Sequence, residues 1–127
     1  MKDYIRLFKE GNFSEVIKQL EKVCSGVAPS YEAYLYLGAS YAHLERYEDA
    51  VKAFSMAREL RPDSAAIHYN LGQTYEALEL IEEARECYKN AVKLNPTYLP
   101  AKTALINLYL HQVAIQDNDN NNTKIAA

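Results

Sequence analysis

Two octamers in the sequence constrain the fold more than any other feature. YLYLGASY at residues 34–41 and HYNLGQTY at residues 68–75 share the pattern Leu-Gly-x-x-Tyr, 34 residues apart from Leu37 to Leu71. Four more residues recur 34 positions later: Ala50 as Ala84, Phe54 as Tyr88, Ala57 as Ala91 and Pro62 as Pro96. A fixed period of this length indicates an array of similar units that bury their apolar faces against each other.

Apolar residues within each unit follow the spacing of α-helices. One face of a helix over residues 31–44 is formed by Tyr34, Leu37, Tyr41 and Leu44. A second helix over residues 47–60 has an equivalent face formed by Tyr47, Ala50, Val51, Phe54, Ala57 and Leu60. Spacings of three and four residues place such side chains on one side of a helix. Because only a short turn joins the two helices, we expect an antiparallel pair.

Helix ends and helix contacts also leave signals in the sequence. Pro62 cannot continue the second helix, and Ser64 can cap the helix that follows. Gly38 and Gly72 lie in the middle of predicted helices, where glycine costs about 1 kcal/mol relative to alanine. Their recurrence at one register predicts that a neighbouring helix approaches closely at these two positions.

These recurring residues resemble the signature of the tetratricopeptide repeat, a 34-residue helix-turn-helix unit. The resemblance covers residues 1–111 and implies an all-α, right-handed solenoid of about three repeats plus a closing helix. It also implies that Tyr41, Tyr75 and Tyr109 pack inside the helical stack together with Phe54 and Tyr88. The predicted organisation is a degenerate first repeat at 1–30, full repeats at 31–64 and 65–98, a closing helix at 99–115 and a disordered Asn-rich tail at 116–127.

Composition excludes several classes of function. The formal net charge of −3 offers no basic surplus for a nucleic-acid partner. No run of 18 apolar residues predicts membrane insertion, and the N-terminus lacks the apolar core of a signal peptide, so we expect a cytoplasmic protein. Cys24 and Cys87 form no CxxC motif and are expected to pack as thiols.

Catalytic and metal-binding motifs are missing from the sequence. It has no HExxH, Walker, GxSxG or dinucleotide-binding pattern, so we predict neither an enzyme nor a bound cofactor. His43 and His111 occupy the same register two repeats apart, too far to share one metal ion. His68 replaces the usual large apolar residue of its helix, and we expect it to pack while hydrogen-bonded. No metal site is predicted.

The family resemblance implies a binding surface on the concave side of the solenoid, formed by the first helix of each repeat. The implied contacts to an unidentified protein or peptide partner are Glu32, Leu35, Tyr36, Ala39, His43, Tyr69, Asn70, Gln73, Glu76, Asn107 and His111. Equivalent positions nearby are held by Ala42, Ala66, Ala77, Thr103, Ala104 and Leu110. The amides of Asn70, Gln73 and Asn107 could hydrogen-bond the backbone of an extended peptide, while the neighbouring tyrosine rings supply apolar area to bury.

One group of family members, the chaperone cofactors, grips the terminal carboxylate of a peptide with two Lys, two Asn and one Arg. The matching positions in this chain are held by Met1, Ile5, Tyr36, Ala66 and Asn70. If the register starts one repeat later, they are held by Leu35, Ala39, Asn70, Pro100 and Ala104. Neither set contains a cation, so we predict no selective binding of an acidic chaperone tail.

The closing segment supports an alternative function. LPAKTALINLYLHQVAIQ is apolar nearly all round, whereas the terminal unit of a repeat array needs a polar outer face. Ile106, Leu110 and Val113 would normally meet a second helix, and we hypothesise that they meet another copy of the chain, as in a self-associating scaffold. The rival explanation is that the chain is a fragment of a longer repeat array.

Overall fold

The computed structural model describes the backbone of residues 3–126 and the side chains of residues 3–118. In the part of the chain that is described, all regular structure is helical. The helices are α1 Asp3–Lys9, α2 Phe13–Cys24, α3 Tyr31–His43, α4 Tyr47–Leu60, α5 Ala65–Ala77, α6 Ile81–Leu94 and α7 Leu99–Ala126. Each helix packs against the next along the chain, so the all-α repeat fold expected from the sequence is confirmed.

The helices begin at the period of the sequence. The starts of α2, α4 and α6 are Phe13, Tyr47 and Ile81, at steps of 34 residues. The starts of α3, α5 and α7 are Tyr31, Ala65 and Leu99, at the same step. The pair α1 and α2 therefore keeps the register of the two full repeats, although few signature residues occur in it.

The turn inside each helix pair has a left-handed residue at one position. Gly11, Glu45 and Glu79 have φ of 80°, 60° and 61°, and each lies 34 residues from the next. This conformation favours glycine because it crowds a Cβ atom against the backbone. The two full repeats therefore carry strain in this turn that the first repeat avoids.

The mid-helix glycines accommodate aromatic rings from the second helix of their own repeat. A Cβ atom on Gly38 would lie 2.6 Å from the ring of Phe54, and one on Gly72 would lie 2.5 Å from the ring of Tyr88. Both rings are buried, as predicted. The close approach expected at these glycines is thus confirmed, and what approaches is a side-chain ring.

Residues before α3 and α5 show how two similar serines act differently. Ser30 caps α3, since its Oγ accepts a hydrogen bond from the backbone of Ala33 at 3.1 Å. Ser64 holds the same place before α5 but makes no capping bond; its Oγ lies 3.0 Å from the hydroxyl of Tyr31 instead. His68 is buried with Nε2 3.0 Å from the carbonyl of Pro62, which confirms its expected packing role.

The three tyrosines at one register are buried to very different extents. Tyr41 is 8% exposed and donates a hydrogen bond to Glu21 Oε1 at 2.6 Å, and burial raises its pKa. Tyr75 is half-buried. Tyr109 is 65% exposed, so the prediction that it packs in the core is wrong. Within the described residues, no helix follows α7 to cover it.

Helix α7 is longer than the closing helix predicted over 99–115. It continues to Ala126, where the sequence pattern predicts a disordered tail over 116–127. Neither Pro nor Gly follows Pro100, so an Asn-rich composition alone does not interrupt the helical backbone. None of the described helices, α7 included, combines the length and apolar character needed to cross a membrane.

Candidate functional site

Two adjoining depressions follow the first helices of the repeats. The larger, about 680 Å³, lies between α5, α6 and α7 and is lined by Tyr69, Gln73, Glu76, Ala77, Tyr88, Leu99, Pro100, Thr103, Ala104 and Asn107. The smaller, about 350 Å³, lies between α3, α4 and α5 and is lined by Ala39, Ala42, His43, Tyr47, Phe54, Asn70, Gln73, Thr74 and Ala77. Because Gln73 and Ala77 line both, the two depressions adjoin along α5, and we call them together the concave groove.

Most of the residues that the sequence nominates for partner contact line this groove. Ala39, His43, Asn70 and Gln73 are in the smaller depression. Tyr69, Glu76 and Asn107 join Gln73 in the larger one. Four nominated residues line neither depression: Glu32, Leu35, Tyr36 and His111.

Helix α1 packs against the part of α3 that carries Glu32 and Tyr36. The hydroxyl of Tyr4 donates to Glu32 Oε1 at 2.9 Å. The ring of Tyr36 makes edge contacts with Tyr4 and Phe8, with ring centres 5.6 and 5.1 Å apart. Leu35 is half-buried against the core. The first repeat therefore uses these side chains for packing, which reduces what they can offer a partner.

His43 lies at the boundary between that packing and the groove. Its ring stacks on Phe13 with centres 4.3 Å apart and planes 2° apart, and it makes a T-shaped contact with Phe8. His43 is nevertheless exposed and lines the smaller depression. It can contact a partner while the first repeat fixes its orientation. His111 lies near the other end of the molecule, on α7, and is exposed.

Amide side chains supply the hydrogen-bonding capacity of the groove. Gln73 Nε2 donates to the hydroxyl of Tyr69 at 2.9 Å, which fixes both side chains on α5. The side-chain amides of Asn70 and Asn107 make no hydrogen bond to any described residue. Each can therefore donate and accept at once, as an extended peptide backbone requires.

A buried hydroxyl reaches the groove from α6. Tyr88 is 1% exposed, and its hydroxyl donates to Glu76 Oε1 at 2.8 Å. Burial, together with this hydrogen bond and the charge of Glu76, raises the pKa of Tyr88, so the hydroxyl keeps its proton and remains a donor. The carboxylate of Glu76 is thereby held at the wall of the larger depression.

Several lining residues are not among those that the sequence nominates for partner contact. The repeat register assigns Tyr88 and Phe54 to the core, and both also reach the groove. Leu99 and Pro100 line the larger depression from the start of α7. The 34-residue period could have indicated Pro100, because Pro100 is the second residue of α7 as Glu32 is the second residue of α3.

Potential metal ligands do not cluster in the described residues. Among them, no group of three or more His, Cys, Asp or Glu side chains is placed to hold a metal ion. Cys87 is buried and Cys24 half-buried, and burial raises the pKa of both thiols.

Family models match the repeats that the groove is built on. One, described as tetratricopeptide repeat, matches residues 65–98, and another, described as TPR repeat, matches residues 38–79. Residues 38–98 belong to the tetratricopeptide repeat family. The match over residues 65–98 begins at the start of α5 and ends just before α7, so it follows the repeat register seen in the helix starts.

Known tetratricopeptide repeat proteins are similar to parts of the chain. Tetratricopeptide repeat protein 17 of Rattus norvegicus is 37% identical over 65 residues, which are 51% of this chain and 5% of that protein. This chain therefore spans only a small fraction of that relative.

Solved structures share the fold at low identity. MamA residues 41–end from Desulfovibrio magneticus RS-1 superimposes with a TM-score of 0.81 at 21% identity, covering 96% of this chain and 69% of that one. The first TPR of Spaghetti (RPAP3) bound to HSP90 peptide SRMEEVD gives a TM-score of 0.81 at 20% identity, covering 87% and 88%. At such identities the likeness shows the fold.

Proposed function

We propose that this chain is a non-catalytic protein-protein interaction module that binds a peptide or protein segment in the concave groove, as an adaptor or assembly factor. The observation that carries the proposal is the groove itself, in which two depressions join at Gln73 and Ala77. The unpaired amides of Asn70 and Asn107 lie on either side of that junction. A helical repeat structure bound to a peptide is known in Spaghetti (RPAP3).

The groove combines the two properties that an extended segment needs. Asn70 and Asn107 can pair with backbone N–H and C=O groups, which would otherwise lose their hydrogen bonds to water on binding. Tyr69 and Leu99 add apolar surface to bury. We expect a partner in extended conformation, with backbone contacts supplying affinity and side-chain contacts supplying specificity.

A selection experiment tests this proposal although the partner is unidentified. Peptides are selected from a random display library on the immobilised chain, and their affinities are measured by fluorescence polarisation. The double variant Asn70→Ala with Asn107→Ala should weaken binding about tenfold or more, since each amide contributes roughly 1 kcal/mol. The matched control is Asn90→Ala on α6, outside the groove, which should bind as the wild type does.

Unchanged affinity in the double variant would count against the groove. Thermal unfolding of the same variant should stay close to that of the wild type, because neither amide is bonded to a described residue. A reduced affinity together with preserved folding would therefore support binding in the groove.

An acidic chaperone tail is not the partner we propose. The clamp positions Ile5, Tyr36 and Ala66 offer no cation for a terminal carboxylate. Met1, the remaining position that departs from the clamp pattern, lies outside the described residues. Calorimetric titration with the peptide SRMEEVD should detect no selective binding, and micromolar affinity would contradict this part of the proposal.

A second candidate function is self-association through α7. Ile106 is 56% exposed and Leu110 57% exposed, and Val113 is half-buried. Two such surfaces on separate copies would remove apolar area from water. Light scattering at increasing concentration should show a dimer or larger species that Ile106→Asp disrupts. A clean monomer at high concentration would rule this candidate out.

We also propose a cytoplasmic location. Free thiols at Cys24 and Cys87 suit a reducing compartment. Fractionation of cells that express the tagged chain would test this, and recovery in an oxidising compartment would contradict it.

A further inference from the structure

The charge of the concave groove is concentrated at one residue. Among the residues that line the two depressions, Glu76 is the only carboxylate, and no Lys or Arg is present. The carboxylate lies in the larger depression together with the rings of Tyr69 and Tyr88. A negative charge beside aromatic rings is a setting that attracts a cation.

Glu76 is held in place without being neutralised. Its Oε1 accepts from Tyr88, whose buried ring cannot turn away without disturbing the core. Among the described residues, no Lys or Arg forms an ion pair with Glu76. A carboxylate has four acceptor positions, so this one retains capacity for a charged donor. The side chain is therefore pre-positioned for a partner at little further entropic cost.

The tyrosine rings extend this site beyond a single ion pair. The ring centres of Tyr69 and Tyr88 are 5.8 Å apart, and those of Tyr69 and Tyr98 are 5.7 Å apart with the rings nearly perpendicular. The faces of aromatic rings carry partial negative charge, so a guanidinium or ammonium group near Glu76 would gain from both the carboxylate and the half-buried ring of Tyr69. The ring of Tyr88 is 1% exposed and contributes through its hydroxyl, which holds Glu76 in place. A carboxylate in the same position would be repelled by Glu76.

We propose that the groove at Glu76 binds an Arg or Lys side chain of an extended protein segment. This inference rests on the proposed function, since the segment that carries the cation is the one bound by the groove. It names the partner class more closely: the segment is basic at one position. The preceding repeat has Ala42 and Phe54 where this repeat has Glu76 and Tyr88. The cation is thus recognised at one repeat only, which fixes the register of the segment.

Terminally blocked nonapeptides test the proposal directly. Three peptides share one sequence and differ at the central residue, which is arginine, citrulline or glutamate. Citrulline keeps the shape of arginine without its charge. Titration into ¹⁵N-labelled chain should show that the arginine peptide binds about tenfold more tightly than the citrulline peptide, with shifts at Gln73, Glu76 and Asn107. The glutamate peptide should bind most weakly.

Two variants with the same change of charge separate a specific site from a general field. Glu76→Gln can still accept from Tyr88 and should remove the preference for arginine over citrulline. Glu83→Gln, on the exposed side of α6, should retain that preference. A preference that persists in Glu76→Gln, or that falls equally in both variants, overturns the proposal. Thermal unfolding of both variants should match that of the wild type.

The remaining outcomes distinguish this inference from the proposed function. Equal binding of arginine and citrulline peptides in the groove overturns the cation site and leaves the interaction module standing. No binding of the arginine peptide at millimolar concentration also overturns the cation site, while the display selection continues to test the groove. Agmatine binding as tightly as the arginine peptide would overturn the assignment to a protein segment.

Discussion

The two full repeats pack alike but present different surfaces to the groove. Phe54 covers Gly38 in one repeat as Tyr88 covers Gly72 in the next. The hydroxyl that distinguishes Tyr88 from Phe54 donates to Glu76, and Ala42 holds the equivalent place in the earlier repeat. A polar pair has thus taken the place of an apolar pair without changing the packing beneath it. Conserving the packing residues of a repeat while exchanging the groove residues gives one scaffold several surfaces.

The strongest test of equal packing is to remove each ring. Phe54→Ala and Tyr88→Ala should each lower the free energy of unfolding by about 3–5 kcal/mol, because each leaves a cavity in the buried core. Urea unfolding followed by circular dichroism measures both. Costs that differ by more than the contribution of one hydrogen bond, about 1 kcal/mol, would show that the two repeats are not packed alike.

Filling the space beneath the rings should have the next largest effect. Gly38→Ala and Gly72→Ala should each destabilise the chain by about 1–3 kcal/mol, since a methyl group there would collide with a buried ring. Alanine favours a helix more than glycine does, so a stabilised variant would mean that the ring can move aside. The control is Gly72→Ala combined with Tyr88→Ala, in which the added methyl group should no longer destabilise.

The turn residues extend the comparison to the first repeat. Glu79→Gly should stabilise the chain by about 0.5–1 kcal/mol by relieving the left-handed strain, and Gly11→Ala should destabilise it by about 1 kcal/mol. Thermal unfolding measures both effects. Glu79→Ala serves as the control, because it removes the charge while keeping the strain. An equal gain from Glu79→Ala and Glu79→Gly would assign the effect to charge.

The sequence predicted the packing of the repeats better than the use of their surfaces. The positions of Gly38 and Phe54 follow from the 34-residue period, which can be recognised in the sequence without knowing how the helices pack. The exposure of Tyr36 depends on α1, which brings Tyr4 and Phe8 against it from a repeat whose signature is degenerate. The contacts of α1 could not be predicted from the repeat pattern, because the first repeat departs from that pattern.

The binding surface shows the same division between local and non-local information. Asn70, Gln73 and Asn107 line the groove as the family register implies. Tyr88 also reaches the groove, although its register assigned it to the core. A long side chain can be buried along its ring and still place a hydroxyl at a surface. The sequence alone does not show that the Tyr88 hydroxyl reaches the groove, because this depends on its hydrogen bond to Glu76.

The smallest expected effect on stability is at Tyr109. It holds the same repeat position as Tyr41 but is not buried as Tyr41 is. Tyr109 is 65% exposed, so Tyr109→Ser should change the free energy of unfolding by no more than about 0.5 kcal/mol at low micromolar concentration. Urea unfolding at two protein concentrations measures this. The matched control is Tyr47→Ser on α4, where a half-buried ring should cost more. A cost at Tyr109 that grows with concentration would mean that another copy covers α7, because only the associated state would then be stabilised by the ring.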